Sequence, residues 1–407
     1  MPPSRLFSLL LNRRMLVALI MGFSCGLPLS LTVSVLQAWM VEVGKDLSTI
    51  GLFSLVGLPY TVKFFWAPVF DRFTLPFLGR RRGWLLVSQL SLILAILWLG
   101  FSDPLAHLWL LALAAFFVTF FSASQDVVVD AYRREDLADS ELGMGSSLYV
   151  YGYRTAMILA SGGGLILADH LSFSMVYAIM AACLLPGVLT TVLTPEPVVH
   201  TPPVTIGQAV IDPLTEYFSR PRALWILAFI LLYKIGDVMA GAMTLPFYLD
   251  IGFSKTQIGA VVKLMAFWAT MAGAFLGGLI LFRLGIIRCL WGFGMLQALS
   301  TAGFIWLAAT GPHMATLSAV IVFENLSAGM GTAAFTAYMA SITDKRFTAT
   351  QYALLSSLMG VPRVMASAPT GYLAGLLGWT GFFVLCTLMA IPGLLLIPKL
   401  ESSENKR

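Results

Sequence analysis

The sequence predicts an all-α polytopic membrane protein, with twelve transmembrane helices arranged as two six-helix bundles. Three observations predict it. The 407 residues are 58% hydrophobic and 11% charged, with mean hydropathy +0.86, whereas soluble domains carry about 25% charged residues. Apolar runs of bilayer-spanning length, about 20 residues, recur along the whole chain. Lys and Arg gather in alternate connections between these runs, as topology requires. A soluble enzyme is excluded by composition. A nucleic-acid partner is excluded by charge distribution, because the formal +5 is spread over short loops and forms no stripe or tail.

The apolar runs lie at 15–40, 49–70, 83–101, 106–130, 142–168, 172–194, 223–249, 255–282, 285–310, 314–341, 347–376 and 379–398. The first follows MPPSRLFSLLLNRRML, which lacks a small-residue cleavage site. It is expected to be a retained span and not a signal peptide. Several runs exceed the bilayer thickness, so tilt or kinking is expected. Pro28, Pro59, Pro186, Pro246, Pro362 and Pro369 fall inside runs, where membrane helices tolerate them. The connection 195–222 is the longest and is rich in proline. Within it, Ile206, Val210, Leu214 and Phe218 recur at steps of four, which suits an amphipathic helix lying on the inner membrane surface. The expected organisation is a bundle at 1–194, a cytoplasmic linker at 195–222 and a second bundle at 223–407.

With the N-terminus inside, eighteen of the 25 Lys and Arg fall in inside segments, and only Lys45 and Lys255 fall outside. Both termini are therefore expected in the cytoplasm. The halves echo one another. SSLYVYGYR at 146–154 matches SSLMGVPR at 356–363, each ending in an arginine within a run, and STIG at 48–51 matches TQIG at 256–259. A six-plus-six repeat with a long central loop resembles the major facilitator transporters. The resemblance implies halves related by an axis along the membrane normal and a substrate bound near the midplane between them.

No nucleotide-binding GxxxxGK[ST], no HExxH and no GxSxG is present, and the four histidines lie in loops or at span ends. Cys25, Cys183, Cys289 and Cys386 each fall in an apolar run without a CxxC, and read as core thiols, not as ligands. No cofactor or metal is expected. The energy source is then an ion gradient or the substrate's own gradient.

Nine charges are read as intramembrane, with Lys255 and Arg288 at the starts of their runs counted with the connections: Lys63, Arg154, Lys234, Lys263 and Arg363 against Asp126, Asp130, Asp237 and Glu324. Each costs about 2.5 to 3.5 kcal/mol on insertion scales, so such residues face the bundle interior, pair with one another and mark pathways. Glu324 and Arg363 are expected at similar depth and are expected to pair. Lys234 and Asp237, three apart, share a helix face. Structural pairing and transport roles are both open for these groups. Glu324, Asp126 and Asp237 are the candidates to carry a proton, because burial and a nearby cation pull a carboxyl in opposite directions. Asp130, near the inner end of its run, is expected at a helix end or gate. The surplus positive charge suits an anionic substrate.

GFSCGLPLSLTVSVLQAWM, FSLVGLPYTVKFFWAPVFDRFTLPFLGRRRGW, FSASQDVVVDAYR, LYKIGD and VFENLSAGMGTAAFTAYMASITDKRFTATQYALLSSL together resemble the AmpG family of muropeptide permeases, over about Gly22 to Pro392. The resemblance implies a multi-pass protein of the bacterial inner membrane. Its expected function is to import N-acetylglucosaminyl-1,6-anhydro-N-acetylmuramyl sugars, with or without peptide, from periplasm to cytoplasm on the proton gradient. Some members carry two further C-terminal spans, whereas this chain ends at ESSENKR. On this reading Arg154 and Arg363 bind carboxylate, with Lys234 beside them. Gln37, Gln125 and Asn325 serve acetamide and hydroxyl groups. Tyr153, Tyr233, Trp39 and Phe335 offer faces for sugar rings. The facilitator pattern also implies a charged inner gate at the loop after the second span, with Asp71, Arg72 and Arg80 to Arg82, joined by Asp130 at the inner end of the fourth run. The expected partners are a small anionic glycan or peptide and the lipid bilayer, with the chain acting as a monomer. The alternative is an inner-membrane importer of a siderophore or other anionic metabolite. A receptor without transport is disfavoured, since no soluble stretch is long enough to signal.

Overall fold

The computed structural model describes residues 12–45, 49, 53–197, 203, 205–220, 222–258, 261–262, 264–367 and 369–404. These are helical throughout apart from turns and one isolated antiparallel bridge, Leu75 to Gly79. The principal helices are α1 (Arg13–Glu42), α2 (Arg80–Gly100), α3 (Leu108–Asp136), α4 (Leu142–Ile158) and α5 (Phe173–Leu193). They continue with α6 (Ile206–Ser219), α7 (Ala223–Asp250), α8 (Leu264–Leu284) and α9 (Ile286–Thr310). The last are α10 (Met314–Ile342), α11 (Thr348–Met365) and α12 (Thr370–Glu404).

Nine helices among the described residues are long and apolar enough to cross a membrane: α1, α2, α3, α5, α7, α8, α9, α10 and α12. The other three expected spans take different forms. Residues 53–72 break into short pieces, with 3-10 turns at Phe53–Gly57 and Lys63–Phe65. Pro59 and Pro68 each stand in the first turn of a piece, where a missing N–H removes no helical bond. α4 and α11 carry polar sequence, LGMGSSLYVYGYR and TATQYALLSS, and α4 runs on through a π-turn at Leu159–Gly163. A π-turn also interrupts α1 at Leu31–Val35, just after Pro28, a common site for helix irregularity. α12 is two helical stretches joined at Gly378, whose φ of 64° only glycine adopts without strain. That is the short connection the sequence places between its last two spans.

The described chain forms two compact units. One comprises Met1–Pro213 together with Ile342–Ser357, and the other Leu214–Ser341 with Leu358–Arg407. The division falls inside the linker expected at 195–222. In the first unit, Leu27, Leu31, Leu92, Ile96, Val118, Val176 and Met180 form the core. Trp39 stacks on Phe173 with ring centroids 5.3 Å apart. Helices α1 and α4 touch backbone to backbone: a Cβ on Gly26 would lie 2.1 Å from the carbonyl oxygen of Tyr153. The second unit repeats the device. A Cβ on Gly273 in α8 would lie 2.1 Å from the Leu326 carbonyl oxygen of α10, the small-residue packing typical of membrane bundles. Its core is aromatic, around Phe247, Phe304, Phe382 and Phe383. The cysteines are free, with Cys25, Cys289 and Cys386 buried, as core thiols should be.

Candidate functional site

In the first unit, buried charge concentrates where α2, α3 and α11 begin or end. Arg81 at the start of α2 is fully buried. Its Nη2 donates to Asp71 Oδ1 at 2.7 Å, Glu135 Oε1 at 2.6 Å and Thr348 Oγ1 at 2.6 Å. Its Nη1 donates to the Phe70 carbonyl at 2.9 Å. Arg80 Nη2 adds a bond to Glu135 Oε1 at 3.1 Å. Thr348 Oγ1 also bonds Glu135.

Asp71 caps α11. Its carboxylate accepts the Ala349 N–H at 3.2 Å, the Thr350 N–H at 2.8 Å and the Thr350 hydroxyl at 2.7 Å. These N–H groups have no intrahelical acceptor, and the positive end of the helix dipole favours the anion. The segment 342–357 is thereby held within the first unit. The start of α6 meets it: Gln351 Nε2 donates to the Pro213 carbonyl at 3.1 Å, and Thr350 Oγ1 lies 3.4 Å from the Ala209 carbonyl. α2 is capped in the same way. Glu196, from the linker, accepts the Arg81 N–H at 2.6 Å and the Arg82 N–H at 3.0 Å.

Deeper along α3 runs a ladder of polar groups. Ser122 accepts from Tyr60 at 2.8 Å, and Ser124 accepts from the Trp66 indole at 3.0 Å. Asp126 and Asp130 face Lys63, and all three are buried. Arg133 Nη2 donates to Asp130 Oδ1 at 3.0 Å and to the Tyr352 hydroxyl at 2.9 Å, while Nη1 donates to Ser146 Oγ at 2.8 Å. The guanidinium also lies 4.5 Å from the centroid of the Tyr149 ring, within cation–π range.

The second unit holds a separate group. Lys234 stands at a break between the two stretches of α7, and its Nζ donates to Thr332 Oγ1 at 2.7 Å. Glu324 accepts from Ser300 Oγ at 2.6 Å. The Asp237 carboxyl lies within hydrogen-bonding reach of Glu324, and Lys234 stands close enough to act on Glu324. Beside them Asn325 accepts from Thr270 at 3.2 Å and donates to the Ile321 carbonyl at 2.9 Å.

The sequence-predicted residues thus fall into distinct settings. Asp71 and Asp130 sit in the buried networks of the first unit, whereas Arg72 lies over the Phe73 ring at 5.3 Å. Arg80 and Arg81 are the arginines that bind the acids. Gln125 is fully buried, engaged by Ser24 at 3.4 Å and Cys25 at 3.5 Å. Gln37 and Tyr153 are half-buried and Arg154 is exposed on α4. Tyr233 is buried, stacked on Phe335 at 5.3 Å, with its hydroxyl on the Leu290 carbonyl at 3.0 Å. The Arg363 side chain and Lys263 lie outside the described residues, so the expected Glu324–Arg363 pair does too.

Sequence reasoning missed Glu135, Glu196, Thr348, Thr350 and Tyr352, and counted Arg133 only as a loop anchor. The cause is visible at α3. The sequence reading ends that span at 130 because charges begin there, but the helix continues to Asp136 and carries RRE inward. The signal available was the surplus of acids, Glu135 among them, beside a basic stretch.

Known proteins agree with this architecture. The sequence profile described as Major Facilitator Superfamily matches residues 18–367. The chain is 44% identical over 387 residues to the anhydromuropeptide permease of Escherichia coli K12, covering 94% of this chain and 79% of that one. It is 32% identical over 405 residues to a putative transporter AmpG 4 of Rickettsia felis, covering 96% and 97%. Among solved structures, the fucose:proton symporter of E. coli is similar with TM-score 0.76 at 11% identity, covering 96% of this chain and 98% of that one. The human organic anion transporter MFSD10 is similar with TM-score 0.69 at 15% identity, covering 98% and 100%. These relatives are permeases and transporters, not enzymes, and the two distant structures share the fold alone. A helical chain with a family profile over most of its length and kinship along nearly all of it belongs to the major facilitator superfamily and, within it, to the AmpG permeases.

Proposed function

We propose that the protein imports anhydro-muropeptides, N-acetylglucosaminyl-1,6-anhydro-N-acetylmuramyl sugars with or without peptide, from periplasm to cytoplasm, coupled to proton entry. The observation that carries this is the 44% identity over 94% of the chain to an anhydromuropeptide permease. On this reading the chain crosses the inner membrane twelve times with both termini in the cytoplasm, and it works as a monomer. The less apolar helical stretches at 53–72, α4 and α11 complete the count, their polar residues serving the transport path.

The chemistry of the residues fits such a cargo. A muropeptide is anionic through lactyl and peptide carboxylates and polar through hydroxyls and acetamides. Arg154 and Arg363 are the carboxylate ligands in this proposal, since a guanidinium meets a carboxylate through two parallel bonds. Lys234, Gln37, Asn325 and Tyr153 supply further polar contacts. Gln125 and Tyr233, both buried and engaged, support the walls. Glu324, Asp126 and Asp237 carry the proton. Asp71 and Asp130, with Arg72 at the same loop, form the cytoplasmic gate, and its working part is the hold on segment 342–357.

The test is uptake of labelled anhydro-muropeptide into proteoliposomes of the purified protein with an imposed inward proton gradient. Accumulation above equilibrium that collapses with an ionophore is the expected result. Equal uptake with and without the gradient removes the coupling, and absence of uptake of this cargo removes the substrate.

A further inference from the structure

Asp126, Asp130 and Arg133 stand at steps of four and three along α3, so their side chains share one stripe. Lys63 faces the two carboxylates. Cys25, Tyr60, Tyr149 and Tyr352 also face Asp126. With the thiol and phenols neutral, the stripe holds two negative and two positive charges and balances. Asp126 is 7% exposed, and its Oδ1 has no hydrogen-bond partner among the described residues. Asp130, in contrast, already accepts from Arg133. The same Nη2 of Arg133 reaches both Asp130 and the Tyr352 hydroxyl, so whatever moves it from one loosens it on the other. Tyr352 belongs to the segment that Asp71 and Arg81 also hold.

We propose that Asp126, Asp130 and Arg133 form a charge relay that loosens segment 342–357 when Asp126 takes up a proton. A hydronium ion from the aqueous phase gives up the proton and leaves as water: one of its O–H bonds breaks as the O–H bond at Oδ1 forms. Two cations then share one carboxylate. Lys63, relieved of Asp126, competes with Arg133 for Asp130, and the guanidinium loses the anchor that aims its Nη2 at Tyr352. Arg133 is a positioning residue in this scheme. The relay rests on the proton-coupled import proposed above for its physiological use, since a symporter must release its inner gate only when loaded.

The test needs no substrate, which separates its failure from a failure of the transport reading. Full-length protein in detergent is followed by hydrogen–deuterium exchange at residues 348–357, corrected for the intrinsic rate, between about pH 5 and pH 8. A hydrogen bond to a charged group is worth enough that its loss should speed exchange roughly tenfold. Wild type should therefore exchange faster at the acid end. Asp126→Asn should exchange fast at both ends, and Asp126→Glu should keep the response. Tyr352→Phe, which removes one hydroxyl and keeps the ring, should also be fast and insensitive to pH. A wild-type segment indifferent to pH overturns the relay. So does an Asp126→Asn or Tyr352→Phe protein that keeps the wild-type pH response.

Discussion

At the scale of single residues, Glu324 is half-buried and Asp71 fully buried, and each is held by specific partners. Glu324 accepts a short bond from Ser300 and shares its surroundings with Asp237 and Lys234. Two carboxyls and one ammonium leave a place for one proton without net charge. Glu324→Gln mimics the protonated form. Exchange of substrate across the membrane should persist in that variant, while accumulation driven by a pH gradient should be lost. Uphill uptake at wild-type level would make Glu324 structural and move the coupling to Asp126 or Asp237. Asp71 is a different case. It accepts bonds from Arg81 and from the first turn of α11. Asp71→Asn keeps the shape but removes the charge that both partners need. A loss of about 1–3 kcal/mol in the hold on the segment is expected. Thiol labelling of a Thr343→Cys reporter should be correspondingly faster, and an unchanged labelling rate would contradict the latch.

At the scale of elements, helix ends and helix contacts carry the stability. The α2 start lacks a cap of its own, since Gly79 has no side chain. Glu196 supplies the missing acceptor from 115 residues away. Glu196→Ala should cost about 1 kcal/mol or somewhat more, the usual value of a lost cap, read as a lower midpoint in thermal or denaturant unfolding in detergent. The α1–α4 contact is tighter still. Gly26→Ala would place a methyl 2.1 Å from a backbone oxygen, which backbone cannot relieve by changing rotamer. A loss of about 1–3 kcal/mol is expected from overpacking. Gly241→Ala in α7 meets nothing within 4 Å and should leave the midpoint unchanged or slightly raised, because alanine restricts the unfolded chain.

At the scale of the whole molecule, the proposed orientation rests on the distribution of Lys and Arg. A single cysteine at Ser219 should react with an impermeant maleimide only from the cytoplasmic side, and one at Ser102 only from the periplasmic side. Labelling of both from one side would refute the proposed topology.

The helical membrane class was legible in the sequence because lipid imposes one strong condition. Every backbone group must be satisfied within the segment, so long apolar runs mean helices wherever they occur. The family was legible because the motifs around Asp71, Gln125–Asp126 and Glu324 are distinctive as strings. Cysteine roles and the break at Gly378 followed from local chemistry alone. What the tertiary structure decided is which charges meet. Asp71 and Thr350 are 279 residues apart, and Glu135 and Thr348 are 213 apart. Neither spacing nor periodicity encodes such a meeting. The same holds for Arg133, which reads as a loop anchor until α3 is seen to continue past the apolar run and turn it inward. A charge's role depends on its partners, and only the folded chain brings partners from distant segments within the few ångströms over which a desolvated ion pair or a helix cap acts.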